Sequence, residues 1–138
     1  MAANERPQVV LIKPHQRSRN TMQTSGMDRQ VGIAPDLCGN QGLWMAWVST
    51  PPGLASGVHH HSEAESGIYI LRGSMRFYYG DNLQDSFTAE PGDFIYVPPN
   101  IIHMEENLSG SEPVEFVVAR NATEMIVVNV ADPRDRPQ

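Results

Sequence analysis

Cysteine, lysine and long apolar runs are all scarce in this chain of 138 residues. The single cysteine, Cys38, rules out an internal disulfide. No apolar run is long enough to cross a bilayer, and the first residues lack the apolar segment of a signal peptide. The sequence therefore predicts a cytoplasmic protein that has no membrane partner.

Positive charge is also in short supply. Sixteen acidic residues outnumber ten basic ones, which gives a net charge of −6. Proteins that bind nucleic acid normally present a basic face. We therefore expect no nucleic-acid partner.

Short apolar and aromatic runs, separated by Gly, Pro and Asn, dominate the chain from residue 30 onward. This pattern is typical of an all-β sandwich or barrel, and no segment of ten or more residues has helical periodicity. The predicted strands are 43–49, 67–72, 74–79, 85–89, 94–97, 114–119 and 125–130.

The two ends of the chain differ from this middle part. Residues 1–30 are polar, mildly basic and irregular, apart from a possible short strand at 9–12. Residues 131–138 are charged and contain proline, which predicts a mobile tail. We predict an N-terminal arm (1–30), one barrel domain (31–130) and the tail (131–138).

Four of the five histidines occur in two short segments, at His59, His60, His61 and His103. Residues i and i+2 of a strand point to the same side of a sheet, so His59 and His61 are expected to face together and His60 to face away. Neutral imidazole is the commonest metal ligand among side chains. With His103 arriving from a distant strand, three imidazoles can close a site for one transition metal.

The spacing around these histidines follows a fixed pattern, at Gly53, His59, His61, Gly73, Gly92, Pro98, His103 and Asn107. The pattern resembles the two motifs of the cupin superfamily. The resemblance implies a double-stranded β-helix, also called a jelly-roll barrel, in which the three histidines bind a metal. Asn100 stands where the family has Gly, a mild departure because Asn tolerates positive φ.

The glutamate of the first motif has no clear counterpart. Counting back from Gly73 gives Ser66, whereas counting forward from His61 gives Glu65. No glutamate satisfies both distances, so the identity of the fourth ligand is open at this point.

Strand parity bears on that choice. If strand 67–72 is regular, Ser66 shares a face with Ile68, and Glu65 lies on the opposite face. Glu65 faces the metal only if the strand begins after it or if a bulge at Gly67 turns it. We predict Glu65 as the fourth ligand, with Glu63, or water and no carboxylate, as the alternatives.

Other charged residues have two interpretations. Arg72 and Arg76 could hold an anionic group of a substrate or be solvated strand residues. Glu105 and Glu106 could accept hydrogen bonds from the His103 ring or form a solvated face.

The ligand set predicts one divalent transition metal without selecting it. Three imidazoles suit Zn, Cu, Fe and Ni, and an added carboxylate extends the range to Mn. The resemblance implies a metal-dependent enzyme, such as a dioxygenase, isomerase, lyase or decarboxylase, that acts on a small organic molecule. A module that binds or senses a small ligand without turnover, and a dimeric structural module, are the alternatives. Many small cupins are dimers, so a homodimer is expected.

Overall fold

The computed structural model describes residues 6–24 and 26–135. Ten strands carry most of the regular structure, at β1 Asp28–Ile33, β2 Trp44–Thr50, β3 His59–His60, β4 Ser66–Arg72, β5 Met75–Tyr79, β6 Asp85–Ala89, β7 Phe94–Val97, β8 His103–Asn107, β9 Val114–Arg120 and β10 Val128–Asn129. A single helical turn, α1 Pro35–Cys38, follows β1, and short 3-10 turns lie at Pro14–Gln16 and Pro133–Asp135. No helix in these two ranges is long and apolar enough to cross a membrane.

The strands form two five-stranded antiparallel sheets that pack into a jelly-roll barrel. Sheet A has the order β1-β2-β9-β4-β7, and sheet B has the order β10-β3-β8-β5-β6. The predicted all-β fold, a double-stranded β-helix, is confirmed. Apart from the pairs β1–β2 and β5–β6, neighbouring strands are not consecutive in the chain. Strands β3 and β8, for example, pair although more than forty residues separate them.

Alternation of apolar and polar residues decides which side of each strand enters the barrel. Every second residue of β2 and β9 is buried, beginning with the first residue of the strand, and β4 follows the same alternation as far as Ile70. A core of apolar side chains fills the space between the sheets; its most buried members are Trp44, Val48, Ile70, Met75 and Val114. Burial of this apolar surface is the main stabilising contribution to the fold.

Most of the predicted strands are present, with bounds within one residue for six of the seven. The exception is 125–130, of which only Val128–Asn129 is a strand. The possible strand at 9–12 is wrong, because those residues belong to no strand and pair with no neighbour in the described structure. Strand β1 begins at Asp28, inside the predicted arm.

The structure explains three residues at motif positions outside the histidine cluster, Gly73, Asn100 and Asn107. Gly73 has φ +78°, and a Cβ atom there would lie 2.4 Å from the Pro113 carbonyl oxygen, so no other residue fits without a shift of the backbone. Asn100 has φ +61°, as its replacement of the family's Gly suggested. Asn107 is buried, and its amide donates to the carbonyls of Thr50 and Glu112.

Candidate metal centre

The three motif histidines meet inside the barrel. His59 lies in β3 opposite His103 in β8, and His61 follows β3. One potential ligand atom from each ring lies within 4.8 Å of the other two, and the ring centroids are 4.4–5.0 Å apart. All three side chains are buried. Sequence spacing therefore located a cluster that the antiparallel pairing of β3 and β8 assembles.

Hydrogen bonds to the backbone orient each ring. The Nδ1 atoms lie at hydrogen-bond distance from three carbonyl oxygens, 2.6 Å for His59 and Gly57, 2.5 Å for His61 and Ile126, and 3.0 Å for His103 and Ile101. A carbonyl oxygen only accepts, so each Nδ1 must carry the proton. The lone pair of each ring is therefore on Nε2. Metal-binding histidines commonly have this arrangement, which fixes both the tautomer and the ring orientation.

The environment also keeps imidazole neutral. Burial, followed by the positive charge of Arg120, lowers the pKa of His61 to about 3. Burial likewise lowers the pKa of His103, although Glu105 opposes the shift. A neutral ring keeps its lone pair available, which is the form that binds a metal.

Glu65 lies away from this cluster, which corrects the prediction that it supplies the fourth ligand. Its side chain is exposed and accepts hydrogen bonds from the Tyr96 hydroxyl at 2.6 Å and from the Asn121 amide at 3.3 Å. No bulge occurs at Gly67, which pairs in regular register with both neighbouring strands. Parity therefore holds, with Ser66 facing inward and Glu65 outward. Glu63 is exposed as well.

The carboxylate nearest the histidines is Glu105, two residues after His103 in β8. Its Oε1 atom is 3.9 Å from His103 Nε2, and its side chain is only 12% exposed. Burial raises the pKa of Glu105, but the protonated forms of His59 and His103, the Ser56 hydroxyl and the charge of Arg29 lower it, and the net shift is downward. Glu105 is therefore an ionised carboxylate beside the cluster. The i, i+2 parity of a strand that begins at His103 could have identified it, but no strand was predicted there.

Sequence analysis missed Arg120, whereas it named Glu105 as a possible hydrogen-bond acceptor for the His103 ring. Arg120 ends β9 on the same face as Val114, Phe116 and Val118, and its side chain is buried. Its Nη2 atom is 3.1 Å from His61 Nε2, and its Nε donates to Ser66 Oγ at 2.9 Å. The predicted strand 114–119 stopped one residue short of this position.

The other charged candidates do not enter the cluster. Arg72 forms an exposed ion pair with Glu112, and Arg76 donates to Thr88 and Ser86. Glu106 accepts from the Tyr78 hydroxyl. His60 is also outside the cluster, and its Nδ1 accepts from the Ser62 backbone N–H.

The donor set fits a first-row divalent metal ion. Three converging imidazole nitrogens and one neighbouring carboxylate are the ligand types that Zn, Fe, Mn, Ni and Cu accept. Bonds of about 2.0–2.2 Å allow two ligands of one ion to lie up to roughly 4.3 Å apart, a range that includes the 3.9 Å between Glu105 and His103. Phe77 stacks on His103, with centroids 5.2 Å apart, and forms an apolar wall.

A jelly-roll barrel with a buried three-histidine cluster defines a class of small β proteins. The family model described as "Cupin domain" matches residues 46–120, more than half of the chain. The chain therefore belongs to the cupin domain family. Comparison with curated proteins gives no match.

Solved structures of similar fold include proteins of different activities. The polyketide cyclase RemF from Streptomyces resistomycificus has a TM-score of 0.74 and 20% identity, covering 91% of this chain and 90% of RemF. Oxalate decarboxylase from Bacillus subtilis has a TM-score of 0.69 and 21% identity. The match covers 80% of this chain but only 29% of the length of oxalate decarboxylase. An uncharacterised double-stranded β-helix protein from Klebsiella pneumoniae has a TM-score of 0.65 and 17% identity, with coverage of 80% of this chain and 90% of that one. At these identities the likeness concerns the fold.

Proposed function

We propose that this cupin is a mononuclear metal-dependent enzyme that acts on a small organic molecule. One observation carries the proposal: three Nε2 lone pairs converge in a buried space, and each ring is held by a hydrogen bond from Nδ1 to a backbone carbonyl. A structural role for the cluster would not require the Nε2 lone pairs of three histidines to face one another, although that of His61 also accepts a hydrogen bond from Arg120.

The proposed ligands are His59, His61 and His103, with Glu105 in place of Glu65. When bound, a divalent metal ion supplies a Lewis acid that polarises an oxygen of the organic ligand. The backbone carbonyls of Gly57, Ile126 and Ile101 hold the rings in position. The apolar core around the cluster excludes water, which strengthens electrostatic interactions at the site.

One protein of similar fold supports a metal centre: oxalate decarboxylase from B. subtilis has Mn(II) centres. RemF is a polyketide cyclase, so proteins of this fold differ in activity. A fold of this kind hosts many functions.

The test is the metal content of single variants after loading with Zn²⁺ and dialysis. We expect His59→Ala and His103→Ala each to lose bound Zn²⁺ while circular dichroism shows a folded β protein. His60→Ala is the matched control, because His60 is adjacent but outside the cluster, and should keep full occupancy. Full occupancy in both test variants would refute the proposed site.

We further propose a cytoplasmic homodimer, as the sequence suggested. An apolar outer surface of sheet A, which includes the exposed Phe94, supports the dimer. The predicted arm, barrel and tail boundaries also stay proposals.

A further inference from the structure

The barrel is open to solvent at one edge. Strands β6 and β7 are the last strands of the two sheets, and they do not pair with each other in the described structure. Phe87 of β6 lies opposite Phe77 of β5, which in turn lies opposite Glu105 of β8, so all three side chains point into the barrel. Phe77 is 3% exposed, but Phe87 is 37% exposed. An inward aromatic ring with this exposure marks an opening between β6 and β7.

A cavity of about 230 Å³ lies beside Phe87. Sheet B contributes the aromatic rings of Phe77, Tyr79 and Phe87 to its lining, and β7 of sheet A contributes the aliphatic side chains of Ile95 and Val97. None of the described residues that line it is charged, and their only polar side-chain groups are two tyrosine hydroxyls. A cavity with this lining suits an apolar, uncharged group.

The cavity adjoins the histidine cluster. Two of its lining residues, Phe77 and Ile101, contact His103. The Phe77 ring stacks on the imidazole, with centroids 5.2 Å apart and planes 10° apart. The Ile101 carbonyl accepts the hydrogen bond from His103 Nδ1 at 3.0 Å. The cavity therefore lies between a proposed metal ligand and the opening beside Phe87.

The rings at this cavity favour a flat aromatic group. Phe87 stacks on Phe77 at 5.4 Å, so that His103, Phe77 and Phe87 form a column of nearly parallel rings. Tyr79 is tilted by 53° against Phe87 at 6.0 Å. Aromatic pairs stabilise each other beyond the burial of their area. A cavity of about 150 Å³ binds benzene, so 230 Å³ suits a body of one or two fused rings.

We propose that the substrate is a small aromatic compound of one or two fused rings that carries a hydroxyl or carbonyl oxygen. The uncharged ring body occupies the cavity beside Phe87, and the oxygen points to the histidine cluster. Phe87 and Tyr79 therefore select aromatic over saturated compounds. The orientation of the oxygen rests on the proposed function, because a metal ion at the cluster is what would bind it, whereas the binding of the ring body does not.

Two probes with the same carbon skeleton test the class of ligand, 2-naphthol and its saturated analogue 2-decalol. Calorimetry measures the binding of each to the unaltered chain, with Zn²⁺ present and with EDTA. We expect 2-naphthol to bind about three- to tenfold more tightly than 2-decalol under both conditions, the usual strength of aromatic contacts. With Zn²⁺ the affinity for 2-naphthol should rise about tenfold, because the hydroxyl oxygen is a metal ligand.

Phe87→Ala tests the proposed contact, since a partly exposed residue of an edge strand can be truncated at lower cost than a core residue. We expect this variant to lose affinity for 2-naphthol about tenfold. It should bind Zn²⁺ as tightly as the unaltered chain, because Phe87 is not part of the histidine cluster. Thr88→Ala is the matched control and should behave as the unaltered chain. Thr88 follows Phe87 in β6 but points outward, where its hydroxyl accepts from Arg76.

The outcomes separate this inference from the proposed function. Zn²⁺ uptake without 2-naphthol binding, equal affinity for 2-decalol, or unchanged affinity for 2-naphthol in Phe87→Ala would each overturn the inference and leave the metal site standing. Equal affinity for 2-naphthol with Zn²⁺ and with EDTA would overturn the orientation of the oxygen. Binding of 2-naphthol that requires Phe87 in a chain that takes up no Zn²⁺ would support the aromatic site and refute the metal-dependent function.

Discussion

Glu65 and Glu105 both lie within four residues of a clustered histidine, yet only one of them faces it. Glu105 is two residues from His103 on a regular strand, so both side chains enter the barrel. Glu65 is four residues from His61, but the turn between them ends before β4 begins at Ser66, and its side chain lies outside. Parity along a strand, and not distance along the chain, decides which carboxylate accompanies the histidines.

This difference predicts the behaviour of two conservative variants. Glu105→Gln keeps the shape of the side chain but removes its charge, and we expect its affinity for Zn²⁺ to fall about 10- to 100-fold, the usual effect of losing a partner of a metal site. Glu65→Gln should leave the affinity unchanged. Titration against a competing chelator measures both. A larger loss in Glu65→Gln than in Glu105→Gln would restore the original assignment.

At the scale of the element, sheet A has apolar residues on both of its faces. The inner face belongs to the core. On the outer face, four residues lie in register across neighbouring strands, Trp47 of β2, Val117 of β9, Tyr69 of β4 and Phe94 of β7. Phe94 is 82% exposed, and its ring lies 4.7 Å from that of Tyr69. Antiparallel sheets commonly have one solvated face, so an apolar outer face indicates a partner.

The N-terminal arm favours a second copy of this chain as that partner. Val10 and Ile12 line a cavity on the outer face together with Trp47 and Val117. Val9 and Leu11 alternate with them and are exposed. An extended segment with apolar residues on both sides can lie between two sheets, one from each protomer.

We therefore expect the protein to elute as a dimer, with a mass about twice its 15.3 kDa, in size-exclusion chromatography with light scattering. Phe94→Arg should shift it to a monomer, because the charge would be buried between the protomers. Leu108→Arg, at an exposed apolar residue after β8, is the control and should remain dimeric. A monomer before substitution, or a dimer after Phe94→Arg, would refute this arrangement.

At the scale of the whole molecule, an acidic surface encloses a cationic interior. The chain has a net charge of −6, while Arg29 and Arg120 are buried in the same interior as the three clustered histidines. Burial, followed by the positive charge of Arg120, makes adding a proton to this interior unfavourable and lowers the pKa of His61 to about 3 from its ordinary 6.5. Stability of the metal-free protein should therefore depend on pH.

The direction in which stability changes with pH follows from proton linkage. Below about pH 6.5 the unfolded chain gains a proton at His61 that the folded chain does not bind until about pH 3. The free energy of unfolding should therefore fall as the pH falls through this range, by up to about 1.4 kcal/mol per pH unit for one such group. His103 and Glu105, whose pKa values are also lowered, act in the same direction.

Urea unfolding in EDTA at pH 7, 5.5 and 4.5 measures the effect. We expect the urea concentration at the unfolding midpoint to fall as the pH falls, and to fall less steeply in His61→Gln than in the unaltered chain. His15→Gln, at an exposed histidine, should retain the full slope. Identical slopes in the two variants would show that His61 does not cause the dependence.

The sequence by itself determined the fold class, most of the strands and the three histidines that meet, because alternation and turn residues are local and the motif spacing is fixed. It also placed Ser66 inward by parity. Only the tertiary structure decided that Glu105 and Arg120 face the cluster and that Glu65 does not. Glu105 lies in the middle of β8, a strand that the pattern did not predict, and Arg120 is the last residue of β9, which the pattern ended one residue early. Their contacts with His103 and His61 arise from pairing between strands that are far apart in the chain, which no local pattern encodes.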